Sequence, residues 1–116
     1  MLEEELLLHP DEPRVHSALG LAYAALGRGQ EAVEHGIRAT ELFPLSVDAA
    51  YALPLEYDLV RIYTQIGEYD TALDRLEWLM LKPGWMTIPF LEMDPRLAPL
   101  RELPRYQVLV QKYELS

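Results

Sequence analysis

Apolar positions between residues 13 and 44 follow a helical period in two segments, which are separated by a short break at Gly27-Arg28-Gly29. Within each segment large apolar residues recur with small ones that leave room for a partner backbone. The small ones are Gly20, Ala24, Ala32, Gly36 and Ala39. Pro44 ends the second segment because it lacks a backbone donor and crowds the preceding turn. The pattern predicts two helices, roughly 13–26 and 30–42, joined as a hairpin.

A second hairpin is predicted from a repeat of the same signals. Leu59, Tyr63, Gly67 and Ala72 each follow a residue of the same type at a distance of 40 positions. Its helices should run from residue 46 or 54 to 66 and from 69 to 81, joined at Gly67-Glu68.

The first hairpin resembles the tetratricopeptide repeat, a 34-residue unit of two antiparallel helices. The matching positions are Leu19, Gly20, Tyr23, Gly27, Ala32, Ala39 and Pro44. His16 and Gly36 depart from the pattern, since they stand where that family usually has Trp and a large aromatic residue. The resemblance implies an all-α fold in which antiparallel hairpins form a right-handed solenoid.

The spacing of the two hairpins implies a division of the chain. The spacing of 40 positions exceeds the 34-residue family period, so residues 45–53 are expected to be an insertion that lengthens the third helix or forms a separate turn before Pro54. Units 13–44 and 54–82 would then be the two repeats. Pro10 precedes Pro44 by one family period, so residues 1–10 resemble the end of an earlier repeat helix. We therefore expect this chain to be the C-terminal piece of a longer repeat protein.

The pattern changes after residue 82, where three prolines interrupt residues 83–95. We expect residues 83–116 to be an irregular segment followed by capping helices, because a repeat stack must cover its last apolar face. The residues suited to this are Trp85, Phe90, Leu91, Leu97, Leu100, Tyr106 and Leu109.

This tail carries a second resemblance through Asp94-Pro95, Leu100-Arg101 and Pro104-Arg105-Tyr106. It is similar to the closing segment found after tetratricopeptide repeats in bacterial multidomain signalling proteins, which commonly carry a nucleotide cyclase, a serine/threonine kinase or a DNA-binding regulator domain. The resemblance implies an interaction or regulatory tail.

Charge and composition limit the kinds of partner that this chain is expected to bind. The formal net charge of −9 disfavours nucleic acid, since an acidic surface repels phosphate backbones. The chain has no cysteine, no run of eighteen apolar residues, and a beginning too acidic for a secretory signal. We expect a soluble cytoplasmic chain without a membrane partner.

No residue pattern indicates catalysis, a metal site or a cofactor. His9, His16 and His35 are placed on different predicted helices, and no acid stands at a defined spacing to orient any of them. Arg96, Arg101 and Arg105 leave two interpretations open. All three could bind a phosphate or carboxylate, or Arg101 and Arg105 could pair with Asp94, Glu92 or helix C-terminal carbonyls to hold the cap.

The repeat resemblance implies a concave groove lined by the first helix of each unit. The groove residues are Arg14, Ser17, Leu21 and Ala25 on the first unit, and Tyr57, Arg61, Thr64 and Gln65 on the second. The Lys and Asn of chaperone-binding relatives are absent, because Ser17, Ala18 and Leu21 occupy those positions. We predict an extended or helical protein segment over this groove, with contact to the inserted segment 45–53 as the alternative.

The predicted function is therefore protein–protein interaction or scaffolding, with a non-catalytic regulatory tail of a cyclase or kinase as the alternative. An apolar N-terminal edge at Leu2, Leu6 and Leu7 is expected to support self-association into a homo-oligomer, because its own partner helix would be missing.

Overall fold

A computed structural model describes residue 8 and residues 12–43, 49–81 and 88–114 of the chain. These residues are largely helical, and none of them belongs to a strand, so the all-α prediction is confirmed for the described part. The elements in chain order are α1 (Pro13–Ala25), α2 (Gly29–Leu42), α3 (Ala49–Gln65), α4 (Tyr69–Met80), α5 (Ile88–Met93), a 3-10 turn (Pro95–Leu97), α6 (Ala98–Arg101) and α7 (Pro104–Glu114).

The same turn ends α1 and α3. Gly27 and Gly67 adopt positive φ values of 78° and 88°, which glycine adopts without steric cost. The next residue in each turn donates its N–H five residues back, Arg28 to the Tyr23 carbonyl and Glu68 to the Tyr63 carbonyl, both over 2.9 Å. This is the Schellman arrangement, which satisfies carbonyls at the end of a helix. It reverses the chain at both places where the sequence predicts a hairpin.

Small residues set the distance between the two hairpins, α1–α2 and α3–α4. A Cβ added at Gly20 would lie 2.6 Å from Ile62 Cδ1 and 3.0 Å from the Ala32 carbonyl oxygen. A Cβ added at Gly36 would lie 2.7 Å from Leu59 Cδ1. Gly20 and Gly36 therefore leave room for neighbouring helices, as their sequence pattern predicts, and α3 packs against both α1 and α2.

The third helix is longer than a simple repeat would require. It begins at Ala49, inside the predicted insertion, and continues through Pro54. The described part of residues 45–53 therefore follows the first of the two alternatives, an extension of the third helix. Pro54 is exposed, and it leaves the carbonyl four residues earlier without its helical donor.

The C-terminal cap, which we define as residues 88–114, covers the apolar face of the second hairpin. Its buried side chains belong to one core cluster with side chains of α3 and α4. The cap contributes Leu91, Leu97, Leu100, Tyr106 and Leu109, and the hairpin contributes Leu53, Tyr57, Val60, Ala72, Leu73, Leu76, Leu79 and Met80. Trp85 and the side chain of Phe90 lie outside the described residues.

The predicted N-terminal edge also lies outside the described residues. Leu2, Leu6 and Leu7 belong to this undescribed part, as does His9, and the neighbouring Leu8 is 75% exposed.

Candidate functional site

The eight predicted groove residues differ in their accessibility. Arg14, Ala25 and Gln65 are exposed, and Leu21 and Arg61 are half-buried. In contrast, Ser17, Tyr57 and Thr64 are only 2%, 3% and 1% exposed. Those three cannot meet a partner directly in this conformation.

A polar network joins the two hairpins beneath the predicted groove. Ser17 on α1 donates from Oγ to Asp58 Oδ2 over 2.9 Å. Asp58 also accepts from Arg61 Nη1 over 2.9 Å, one turn further along α3. Both oxygens of one carboxylate are thus used, which ties a residue of the first hairpin to the guanidinium of the second.

Asp94 of the cap completes this network. Tyr57 donates from its hydroxyl to Asp94 Oδ2 over 2.6 Å, and Arg61 donates from Nε to the same oxygen over 2.8 Å. The guanidinium carbon of Arg61 lies 4.5 Å from the centre of the Tyr57 ring. The other oxygen, Oδ1, accepts from the backbone N–H of Arg96 over 2.9 Å and caps the 3-10 turn. The chain's own cap therefore occupies the α3 part of the predicted groove.

The electrostatics of this contact follow from burial and hydrogen bonding. Burial alone would raise the pKa of Asp94, but the hydrogen bonds from Tyr57, Arg61 and the Arg96 backbone outweigh it and lower that pKa. Burial and the bond to Asp94 raise the pKa of Tyr57. The network thus holds an ionised carboxylate and a neutral phenol at neutral pH.

Two of the three candidate anion-binding arginines hold the cap together. Arg101 donates to the carbonyls of Leu91, over 2.8 Å, and Asp94. Arg105 donates to Glu77 over 3.1 Å and also to Asp74, so it ties α7 to α4. Arg101 thus pairs with cap carbonyls, as the second interpretation expects, whereas the partners of Arg105 are acidic residues of α4 that the sequence analysis did not name.

The two described histidines meet across the first hairpin. His16 Nδ1 and His35 Nδ1 are 3.0 Å apart, and the two rings stack with centroids 5.2 Å apart. The Tyr23 ring also stacks with His35, with ring centroids 5.5 Å apart, and the Arg28 guanidinium lies over the Tyr23 ring at 4.6 Å. Burial and the nearby His16 lower the pKa of His35, against the opposing charges of Glu34 and Glu31.

Comparison of the chain with family models, with curated proteins and with solved structures found no match. The functional proposal below therefore rests on the sequence and the structure.

Residues 8, 12–43, 49–81 and 88–114 contain no group of three or more His, Asp or Glu side chains arranged to hold a metal ion. Nor does any helix among them combine the length and apolar character needed to cross a membrane.

An open groove between α4 and α7 was missed by sequence reasoning. Trp78 is 36% exposed, whereas Leu81 and Val108 are each 64% exposed. They line a cavity of about 440 Å³ together with Asp74, Glu77, Arg105, Leu109, Lys112 and Tyr113. A signal was available, because Trp78 lies off the apolar stripe of α4 that the core buries and Leu81 directly follows the end of that helix.

Proposed function

We propose that this chain is a protein-interaction module of the tetratricopeptide type, ending in a cap that covers the last hairpin. Its parent would be a larger bacterial signalling protein, in which the module binds a protein segment or assembles copies of that parent.

One observation carries this proposal: α3 is seated against both helices of the preceding hairpin at Gly20 and Gly36. Successive units of a repeat protein bury their apolar faces in this way, each against its neighbour. The two identical Schellman turns support the same interpretation, since each marks the middle of one unit. Helical repeat stacks of this kind offer extended surfaces on which protein segments bind.

Most of the accessible part of the predicted groove lies on α1, and Gln65 is the exposed groove residue of α3. Leu21 is half-buried and Ala25 is exposed, so both can contact a partner without any rearrangement. Arg14 is exposed at the opposite end of the same helix. A helical or extended peptide with an apolar anchor fits this surface, because small residues let a partner backbone approach closely.

The test is selection of peptides from a random library on the immobilised chain, followed by affinity measurement with an Ala25→Arg variant. We expect selected peptides to lose about tenfold or more in affinity, because a long charged side chain would occupy the partner's position. Arg is compatible with the end of a helix, so α1 should remain folded.

Ile37→Arg is the matched control, since Ile37 is an exposed apolar residue of α2 outside the predicted groove. This variant should bind the selected peptides as the wild type does. Peptides that bind all three proteins equally, or a selection that yields no binder, would contradict the proposed function.

A further inference from the structure

The cap carboxylate is held by side chains that belong to α3. Tyr57 and Arg61 are one helical turn apart and both donate to Asp94 Oδ2, over 2.6 and 2.8 Å. Two donors on one oxygen, one of them charged, form the kind of hydrogen bonding that recognises a carboxylate strongly. The side chain of Asp94 is only 5% exposed, so water competes little for these bonds.

Both donors also make contacts that do not involve Asp94. Arg61 is fixed from the other side by Asp58, which is itself held by Ser17 of α1. The guanidinium also stacks over the Tyr57 ring. These contacts do not involve the Asp94 carboxylate, and a preorganised site loses little conformational freedom when a ligand binds.

An apolar contact accompanies the carboxylate. Leu91, three residues before Asp94, is fully buried and lies in the same core cluster as Tyr57. Asp94 also begins the 3-10 turn, with Pro95 following it. The bound element is therefore a leucine, two intervening residues, and an aspartate followed by proline at the start of a helical turn.

We propose that Tyr57 and Arg61 form a carboxylate-binding site, which the cap fills in this structure and which accepts the aspartate of a separate peptide with the same Leu-x-x-Asp-Pro pattern. This inference rests on the proposed interaction function and names the chemistry of its partner. A separate peptide must compete with the tethered cap, whose Leu91, Leu97 and Leu100 are buried in the core, so it binds best when the cap carboxylate is removed.

The test uses the full chain carrying Asp94→Asn and a labelled peptide with the sequence of residues 90–100. Asn retains an oxygen that can cap the 3-10 turn, so the variant keeps the local structure while losing the charge. Fluorescence anisotropy should show that this peptide binds the variant about tenfold tighter than a peptide with Asn in place of Asp. The wild-type chain should bind the Asp peptide more weakly than the variant does.

Arg61→Met in the Asp94→Asn background should abolish the preference for Asp over Asn. Arg38→Met in the same background is the matched control, because Arg38 is an exposed arginine of α2, and it should preserve the preference. Equal affinity for both peptides, or a preference that survives Arg61→Met, would overturn the proposal. So would a dimer of the variant that excludes the peptide, since the cap of a second copy would then fill the site.

A second measurement covers the case in which Asp94→Asn does not fold. The wild-type chain is then titrated with each peptide at millimolar concentration while the Arg61 Nε resonance is followed by NMR. A shift produced by the Asp peptide alone supports the site, and equal responses to both peptides overturn it. If library peptides still bind at Ala25 while this preference is absent, the interaction function stands and only the carboxylate site is lost.

Discussion

At the scale of single residues, Arg61 is the side chain on which the two hairpins and the cap meet. It donates to Asp58 on its own helix and to Asp94 in the cap, and its side chain is 22% exposed. Replacing it by alanine would break both contacts and leave two carboxylates without their cation. A binding experiment with an Arg61→Ala variant would therefore report on the cap as well as on a partner, which is why Ala25 is the better probe of the groove.

The contact between His16 and His35 leads to a separate prediction about how stability depends on pH. The pKa of His35 is lowered in the folded chain, first by burial and then by His16, so the unfolded chain binds a proton at higher pH than the folded one. Stability from this pair is present above the ordinary histidine pKa of about 6.5 and decreases as pH falls below it. We expect urea denaturation to show a larger loss of stability between pH 7.5 and 5.5 for the wild type than for His35→Gln.

The comparison with His35→Gln cancels the contribution of the carboxylates, which are the same in both proteins. Glu31 and Glu34 oppose the effect of His16, so the sign of the difference is the informative quantity. If the stability of the two proteins depended on pH in the same way, the lowered pKa of His35 would not be the cause of the wild-type pH dependence.

The sequence indicated which residues are candidates for function, but it did not indicate which side chains they would contact. Tyr57 and Arg61 were predicted to line a groove because the tetratricopeptide resemblance implies a groove at their positions. The sequence separates Asp94 from Tyr57 by 37 positions, and the periodicity of one helix says nothing about which distant carboxylate will reach it. For the same reason the meeting of His16 and His35 was not predicted.

At the scale of the elements, the turns after α1 and α3 are the best-defined local features. Gly27 has a φ of 78°, and a Cβ added there would meet no atom within 4 Å, so the cost of a side chain comes from the backbone alone. We expect Gly27→Ala to reduce the free energy of unfolding by about 1 kcal/mol, the usual penalty of the left-handed region. Urea denaturation monitored by circular dichroism measures this change in the free energy of unfolding.

Gly29→Ala provides the matched control for this prediction. Gly29 is the first residue of α2, and an added Cβ would meet Ile66 at an ordinary 3.6 Å. Alanine should be neutral or stabilising there, by up to about 1 kcal/mol, since it favours the helix. An equal loss of stability in the two variants would show that the left-handed turn is not the cause.

Helix positions followed closely from the sequence, whereas the start of α3 did not. The ends of α1 and α2 lie within one residue of the prediction, because the break at Gly27-Arg28-Gly29 and the apolar period define them. The insertion between the hairpins left two outcomes open. Proline is tolerated in the first turn of a helix and disfavoured further inside it, so Pro54 alone did not show whether the helix starts at this residue or before it.

At the scale of the whole molecule, one core cluster unites the second hairpin with the cap, and a second cluster unites α1, α2 and α3. The need for a cap, and the apolar residues that form it, could be inferred from the sequence, since a repeat stack must cover its last face. The sequence did not indicate that the same cap also reaches the predicted groove through Asp94. That contact depends on where the 3-10 turn lies relative to α3. The tetratricopeptide architecture stays a prediction.

The decisive experiment on the contact between α3 and the cap is a double-mutant cycle of Arg61→Met and Asp94→Asn, measured by urea denaturation at pH 7. We predict a favourable coupling free energy of about 1 to 3 kcal/mol, because the two groups form a charge-assisted bond with little access to water. We also predict a smaller coupling as pH falls below about 4, since protonation of Asp94 removes the charge. Additive effects of the two substitutions would show that the cap is not held to α3 by this contact, and would contradict the role given to Arg61 and Asp94.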